Sequence, residues 1–263
     1  MSEYPDTKQV LKYVKKLELH VNGLKIIPAT HRYRTSVLLA LVSKSLVVSR
    51  AVCVLIDAGF QAEAFGMSRT LIELYFSVRY ISNKNTEERA ETFVKYHARV
   101  RQEWRTVIEK HFPNTELNRL QLDNEVLDIA KKFKSKAHWT GEGGQTRLMA
   151  MEEDTVELDE DGQPFKSEFD YDALYFWTSH FVHGTVVGIA GHASPPGEVF
   201  RVHARSSADK GLKKDSLFNI TIFVCKIFVC ALRAINEDQP KALQDLHGMI
   251  ARFADSKTRR RRA

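Results

Sequence analysis

Two polar pairs stand out against apolar surroundings. Arg69 and Glu73 are four residues apart in a run that also holds Phe65, Leu71, Ile72, Tyr75 and Phe76, so on a helix they share one face. A guanidinium and a carboxylate so placed form a charge-assisted pair, and the arginine keeps further donors for an anion. The pair is either the wet edge of an amphipathic helix or a paired, partly buried site. Ser179 and His183 repeat the spacing, with His180 three residues before His183. An imidazole there can serve as acid or base near neutral pH, or simply as a satisfied core or interface histidine. Serine and histidine at this spacing do not alone make a nucleophile and base, which need an orienting third group and an oxyanion pocket. His180, His183 and Glu73 form an alternative small-molecule or metal set, but metal sites usually recruit more carboxylates or imidazoles. No metal and no cofactor is expected.

Weaker candidates lie elsewhere. Trp139 follows Lys131, Lys132, Lys134 and Lys136, so its ring either stacks on a base or covers the end of a bundle. Arg105 and His111 sit six apart, which resembles the loose arginine-to-histidine spacing of HEPN ribonucleases, all-helical enzymes that cleave RNA without metal. The chain contains no G-x-G-x-x-G, no Walker-type loop, no H-E-x-x-H and no G-x-S-x-G, so those nucleotide, metalloprotease and hydrolase mechanisms have no signature here.

Charge narrows the partners. The formal net charge is +6, yet Lys257, Arg259, Arg260, Arg261 and Arg262 all lie in the last seven residues. Without those five charges the remainder is close to neutral, unlike a protein built mainly to grip phosphates. The end, 257–263, is expected to be a disordered arginine-rich tail that seeks RNA or another nucleic acid. Three cysteines in apolar runs, Cys53, Cys225 and Cys230, fit reduced thiols in a cytoplasmic protein. Lys226 and Arg233 interrupt the most apolar stretch, Ser216 to Ile235, so it reads as a core helix and not as a membrane span.

The elements that must position these groups are helices. Val10, Tyr13, Val14, Leu17 and Val21 make one stripe of a first helix from Thr7 to His20, closed by Asn22 and Gly23. Thr35 to Asp57 is apolar nearly all round and should be central. Helices from Gln61 to Ser82 and from Thr86 to about His111 follow, the latter with Glu87 and Glu88 at its positive end. Later helices are expected at Leu117–Phe133, at Tyr171 to about Val187 capped by Asp170, and at Leu217–Asn236 capped by Asp215 or Ser216. A last one starts near Pro240. Asp161 and Gly162 mark a small β-hairpin at about 153–167, and Gly, Ser and Pro mark a long loop at about 188–213. The expected fold class is therefore all-α, a multi-helix bundle over residues 1–256 forming one domain, with a hairpin insertion and a basic tail.

The order of these pieces resembles a bacterial family, domain of unknown function fifty-six seventy-seven. The resemblance runs through Asp57, Gly59, Ala62, Ala64, Arg69, Thr70 and Glu73, then Arg89, Phe93 and Tyr96. It continues through Trp139, Thr140 and Gly141, and ends with Tyr171, Tyr175, Ser179, His183 and Gly184. It covers about residues 45–190. It implies a helical bundle whose signature polar residues are Arg69, Glu73, Ser179 and His183, and it carries no assigned activity.

Two functions fit. One is an interaction or sensor module of a defence or toxin-type system, in which Arg69, Glu73, Ser179 and His183 form a polar network and a protein partner or a second copy docks. The other is a HEPN-like, metal-independent RNA endonuclease. In that reading Arg69 steadies phosphate charge, His183 moves the proton, and Trp139, Tyr171 and the arginines 259–262 bind. What separates them is whether the Arg69/Glu73 and Ser179/His183 pairs meet in a pocket open to solvent.

Overall fold

The computed structural model describes residues 6–24, 32–112, 124–133, 139–140, 174–183 and 210–235, with a few positions between 240 and 248. Among them every regular element is a helix: α1 (Thr7–Gly23), α2 (Arg32–Asp57), α3 (Gln61–Asn83), α4 (Thr86–His111), α5 (Asn124–Lys131), α6 (Phe176–Val182) and α7 (Lys210–Ile235). The expected hairpin, most of the 188–213 loop and the arginine tail lie outside the described residues, as do Asp170, Tyr171 and Gly184.

The core follows from the apolar helices. α2 packs against α1, α3, α4 and α7, and α3 packs most extensively on α7. Phe76, Phe223, Phe228, Leu38, Leu71 and Ile72 are fully enclosed between them. Several polar residues inside these helices are satisfied locally. Ser45, Ser49 and Thr221 donate their hydroxyls to carbonyls one turn back at 2.6, 2.7 and 2.7 Å, so they present only carbon to the core. Asn219 of α7 donates to the Ser68 hydroxyl of α3 at 3.2 Å in a buried contact, one polar point in the apolar seam between the two helices.

Short junctions set the bundle. Gly59, with φ 88°, turns the chain from α2 into α3, a left-handed conformation in which a Cβ is strained. Asn85, with φ 47°, does the same before α4, and asparagine tolerates that region better than most side chains. Thr7 donates its hydroxyl to Asp57 Oδ1 at 2.8 Å, joining the start of α1 to the end of α2.

Two expected boundaries are corrected. α7 begins at Lys210, so 210–213 is helix and not loop, and Asp215 and Ser216 are interior residues and not caps. The Ser216 hydroxyl donates to the Leu212 carbonyl at 2.7 Å, the back-bond of a serine already inside a helix. Gly23 lies in the last turn of α1, whose cap is Leu24, bonded back to Val21. Lys226, the charge that interrupts the run, lies over the rings of Tyr75 and Phe223 at 5.1 and 5.2 Å, so the helix stays in the core without leaving an ammonium against aliphatic carbon. Two helices, Tyr33–Asp57 and Gly211–Ile235, are long and apolar enough to cross a membrane by length and composition, and just over half of each such window is buried inside the bundle.

Candidate functional site

α6 rests on α3, and the site lies along that contact. Gly66 lies at the contact, where a Cβ would stand 3.4 Å from Phe181 Cβ and from Val182 Cγ2. Phe65 and Phe181 meet edge to face with centroids 5.0 Å apart. Close packing at that end fixes where the next turns of the two helices meet.

Arg69 is the hub. Its Nε donates to Glu73 Oε1 at 3.0 Å within α3. Nη1 donates to His183 Nε2 at 2.9 Å, and Nη2 donates to the Tyr175 hydroxyl. The guanidinium also lies 4.4 Å from the centre of the Tyr175 ring, a cation–π contact. Because arginine only donates, the His183 Nε2 must accept, which makes that ring the neutral tautomer protonated at Nδ1. Three of the five guanidinium N–H groups are used in this way, which leaves two directed to neither α3 nor α6 among the described residues.

The site opens to solvent. A cavity of about 570 Å³ is lined by Glu63, Met67, Arg69, Glu73, Phe181 and His183, with Gly66, Thr70 and Val182 completing it. The Arg69 side chain is 17% exposed and that of Glu73 43%, so the arginine is held at the floor and the carboxylate stands at the rim. One wall is apolar, through Met67, Phe181 and Val182. The charged lining holds two carboxylates against one guanidinium.

The two pairs therefore meet, with one member left out. The Ser179 hydroxyl donates to the Tyr175 carbonyl at 2.6 Å, one turn back on its own helix, and touches neither His183 nor Arg69. Its place beside Arg69 is taken by the Tyr175 hydroxyl. Sequence spacing held a signal for this, since Tyr175, Ser179 and His183 fall on one stripe at intervals of four. Which of the three reaches a neighbouring helix depends on length, and a phenol outreaches a serine.

The other candidates are placed elsewhere. The Trp139 ring is 5% exposed and meets Tyr80 and Phe93 edge to face at 5.3 and 5.1 Å. It covers the bundle and offers no free face for stacking on a base. Arg89 of α4 lies 3.7 Å over the Tyr80 ring and donates to the Tyr80 carbonyl at 2.5 Å, which completes this aromatic cluster. Arg105 pairs with Glu109 on α4, and a separation of six residues sets it roughly 120° around the helix from His111, so those two do not converge. His180 packs edge to face on Phe176 with centroids 4.7 Å apart. Among the described residues no group of three His, Cys, Asp or Glu side chains is arranged to hold a metal ion. Lys131 pairs with Asp128 on the exposed side of α5. Tyr171, Lys134, Lys136 and the arginines 259–262 lie outside the described residues.

A family model matches residues 35–198, more than half of the chain, and its description is a family of unknown function, DUF5677. The chain belongs to DUF5677. No curated protein and no solved structure matches it. The matched span of DUF5677 takes in α2 to α6, and hence both the Arg69 groove and the Trp139 cluster. The resemblance read from the signature residues is thus the family itself, and the all-helical architecture it implied holds for the described residues.

Proposed function

We propose that this DUF5677 protein is an interaction or sensor module, whose ligand enters the groove between α3 and α6 and reads out through Arg69. One observation supports this above the rest. A single guanidinium ties α6 to α3 by two side chains, Tyr175 and His183, at the floor of an open groove. An acceptor on a ligand that engages Arg69 competes with those two side chains, so occupancy and the seating of α6 are coupled. The apolar wall adds area for binding, and the unused N–H groups and the exposed Glu73 fix orientation. The setting in a defence or toxin-type system rests on analogy of helical architecture alone.

A second reading, metal-independent cleavage of RNA, draws on the 2.9 Å contact between Arg69 and His183, a cation beside a group able to move a proton. Against it stands the lining of the same groove, where Glu63 and Glu73 outnumber the arginine and repel a polyanion.

Purified wild type, Arg69→Met and His183→Ala, each incubated with total RNA and screened by thermal shift against small acidic and zwitterionic metabolites, separate the two. The module reading expects intact RNA and a ligand that raises the melting temperature of wild type and not of Arg69→Met. RNA cleavage lost in both variants overturns it in favour of the nuclease.

A further inference from the structure

The groove between α3 and α6 holds polar atoms that bond to nothing else among the described residues. Two N–H groups of Arg69 are unused once Glu73, His183 and Tyr175 have taken theirs. His183, which accepts through Nε2, carries its proton on Nδ1 and has no acceptor for it among the described residues. Glu73 accepts from Arg69 through Oε1 at 3.0 Å, and its Oε2 is open. Donors and an open acceptor of opposite charge therefore stand side by side on the lining of a cavity of about 570 Å³, a size that suits a small molecule. One turn earlier on α3, Phe181 and Val182 close on Gly66. There Met67 and Val182 are 39% and 52% exposed, so apolar carbon faces the same cavity.

We propose that the ligand of this groove is a free α-amino acid with an apolar side chain. The assignment rests on the reading of the groove as a ligand site and names the class of molecule it takes. The carboxylate accepts from the unused Arg69 N–H groups, the ammonium donates to Glu73 Oε2, and the side chain lies on Met67, Phe181 and Val182. His183 Nδ1–H is a further donor on the same lining. Four charges then alternate in sign around one ring, and the ligand adds no net charge to a pair that is already neutral. Because Arg69 and Glu73 touch, the two charges they receive must also be close together. A carboxylate and an ammonium on one carbon meet that condition, whereas the same groups at the two ends of a chain meet it only by folding back. A peptide is excluded on the same ground, since each of its termini bears one of the two charges and not the other. Glu63 adds a second carboxylate to the lining and turns away ligands that carry negative charge alone.

Isothermal titration calorimetry of the full chain tests this, with L-leucine, L-methionine and L-phenylalanine as probes up to millimolar concentration. At least one should bind wild type and not Arg69→Met, with circular dichroism showing the variant helical. N-acetylation of that amino acid removes its ammonium and should weaken binding about 10–150-fold, the share of one hydrogen bond between charged groups. Glu73→Gln should weaken the free amino acid by a similar factor and leave the N-acetyl form unchanged, a selectivity that a merely structural Glu73 does not produce. Binding of N-acetyl-leucine or of ε-aminocaproate as tight as that of leucine overturns the proposal, as does leucine binding that survives in Arg69→Met. Silence from all three probes overturns it as well. In that case another compound that binds wild type and not Arg69→Met keeps the groove as a ligand site of a different class, whereas no compound held through Arg69 removes that reading too.

Discussion

Replacing Arg69 by methionine keeps the aliphatic stem and removes the fork that joins α6 to α3. Four contacts go: the ion pair with Glu73, the hydrogen bonds to His183 and Tyr175, and the cation–π contact with the Tyr175 ring. The ion pair counts for little, because Glu73 is 43% exposed and such i,i+4 pairs contribute about 0.3–0.5 kcal/mol. The cation–π contact adds about 0.5–1 kcal/mol and each hydrogen bond about 0.5–1.5 kcal/mol. Tyr175 and His183 rehydrate in the open groove, so the combined loss should be about 2–3 kcal/mol. That loss falls on one element, since α6 has its packing on α3 and the core of α2, α3 and α7 does not involve Arg69. Native-state hydrogen exchange should therefore speed up by roughly 30–150-fold across residues 176–183, with the amides of α2 and α7 unchanged. Uniform acceleration over the whole chain, or none in α6, would falsify the placing of Arg69 as the tie between these helices.

Three further outcomes follow from other contacts. Glu87 accepts the backbone N–H groups of Tyr33 and Arg34 at 2.8 and 3.0 Å, so Glu87→Gln should cost about 1–2 kcal/mol and lower the melting temperature by roughly 2–8 °C in calorimetry. Trp139→Ala removes a ring enclosed by Tyr80 and Phe93 and should cost about 3–5 kcal/mol in a urea titration, whereas an exposed ring would leave the midpoint in place. Burial, aided by the Asp57 carboxylate, pushes the Cys53 thiol up to about 12, and burial raises Cys225 as well. Both thiols are neutral in the fold and ionise first in the unfolded chain, so their contribution is fully present below about pH 8.5 and is lost as pH rises towards 12. Stability measured against pH should decline through that alkaline window, and Cys53→Ser should flatten the decline.

The first four helices were legible because their apolar residues recur at helical spacing and their ends carry recognisable signals. Thr86 to His111 matches its expected bounds, while the Asp6 carboxylate that accepts from Gln9 N at 2.7 Å as the cap of α1 is added by the structure. The start of α7 was not, because Gly211, Lys213, Lys214 and Asp215 look like a polar linker and only the Leu212 carbonyl bonded to Ser216 shows the helix already under way. Arg69, Glu73 and His183 were legible as candidates from spacing alone. Their meeting was not, since whether residues 114 positions apart touch depends on how α6 packs on α3, through contacts such as Phe65 with Phe181. Nor did spacing alone favour Tyr175 over Ser179. The signature residues also proved to serve two different places. Arg69, Glu73, Tyr175 and His183 build a groove, while Arg89, Phe93 and Trp139 lock one end of the bundle.

Glu87 carries a consequence for the order in which the chain assembles. The first turn of α2 finds its acceptor not in its own vicinity but on α4, 54 residues later in sequence. As the chain emerges, α2 and α3 can coil and pair, but the leading amides of α2 stay bonded to water until the first turn of α4 has formed. Closing that long loop is an entropic cost met late, and contacts of this range slow folding. A nascent chain that stops before Thr86 therefore holds an apolar α2 with an open end and with the flanks that α4 and α7 later cover still bare. The arrival of one carboxylate completes two helices at once, the one it begins and the one it caps.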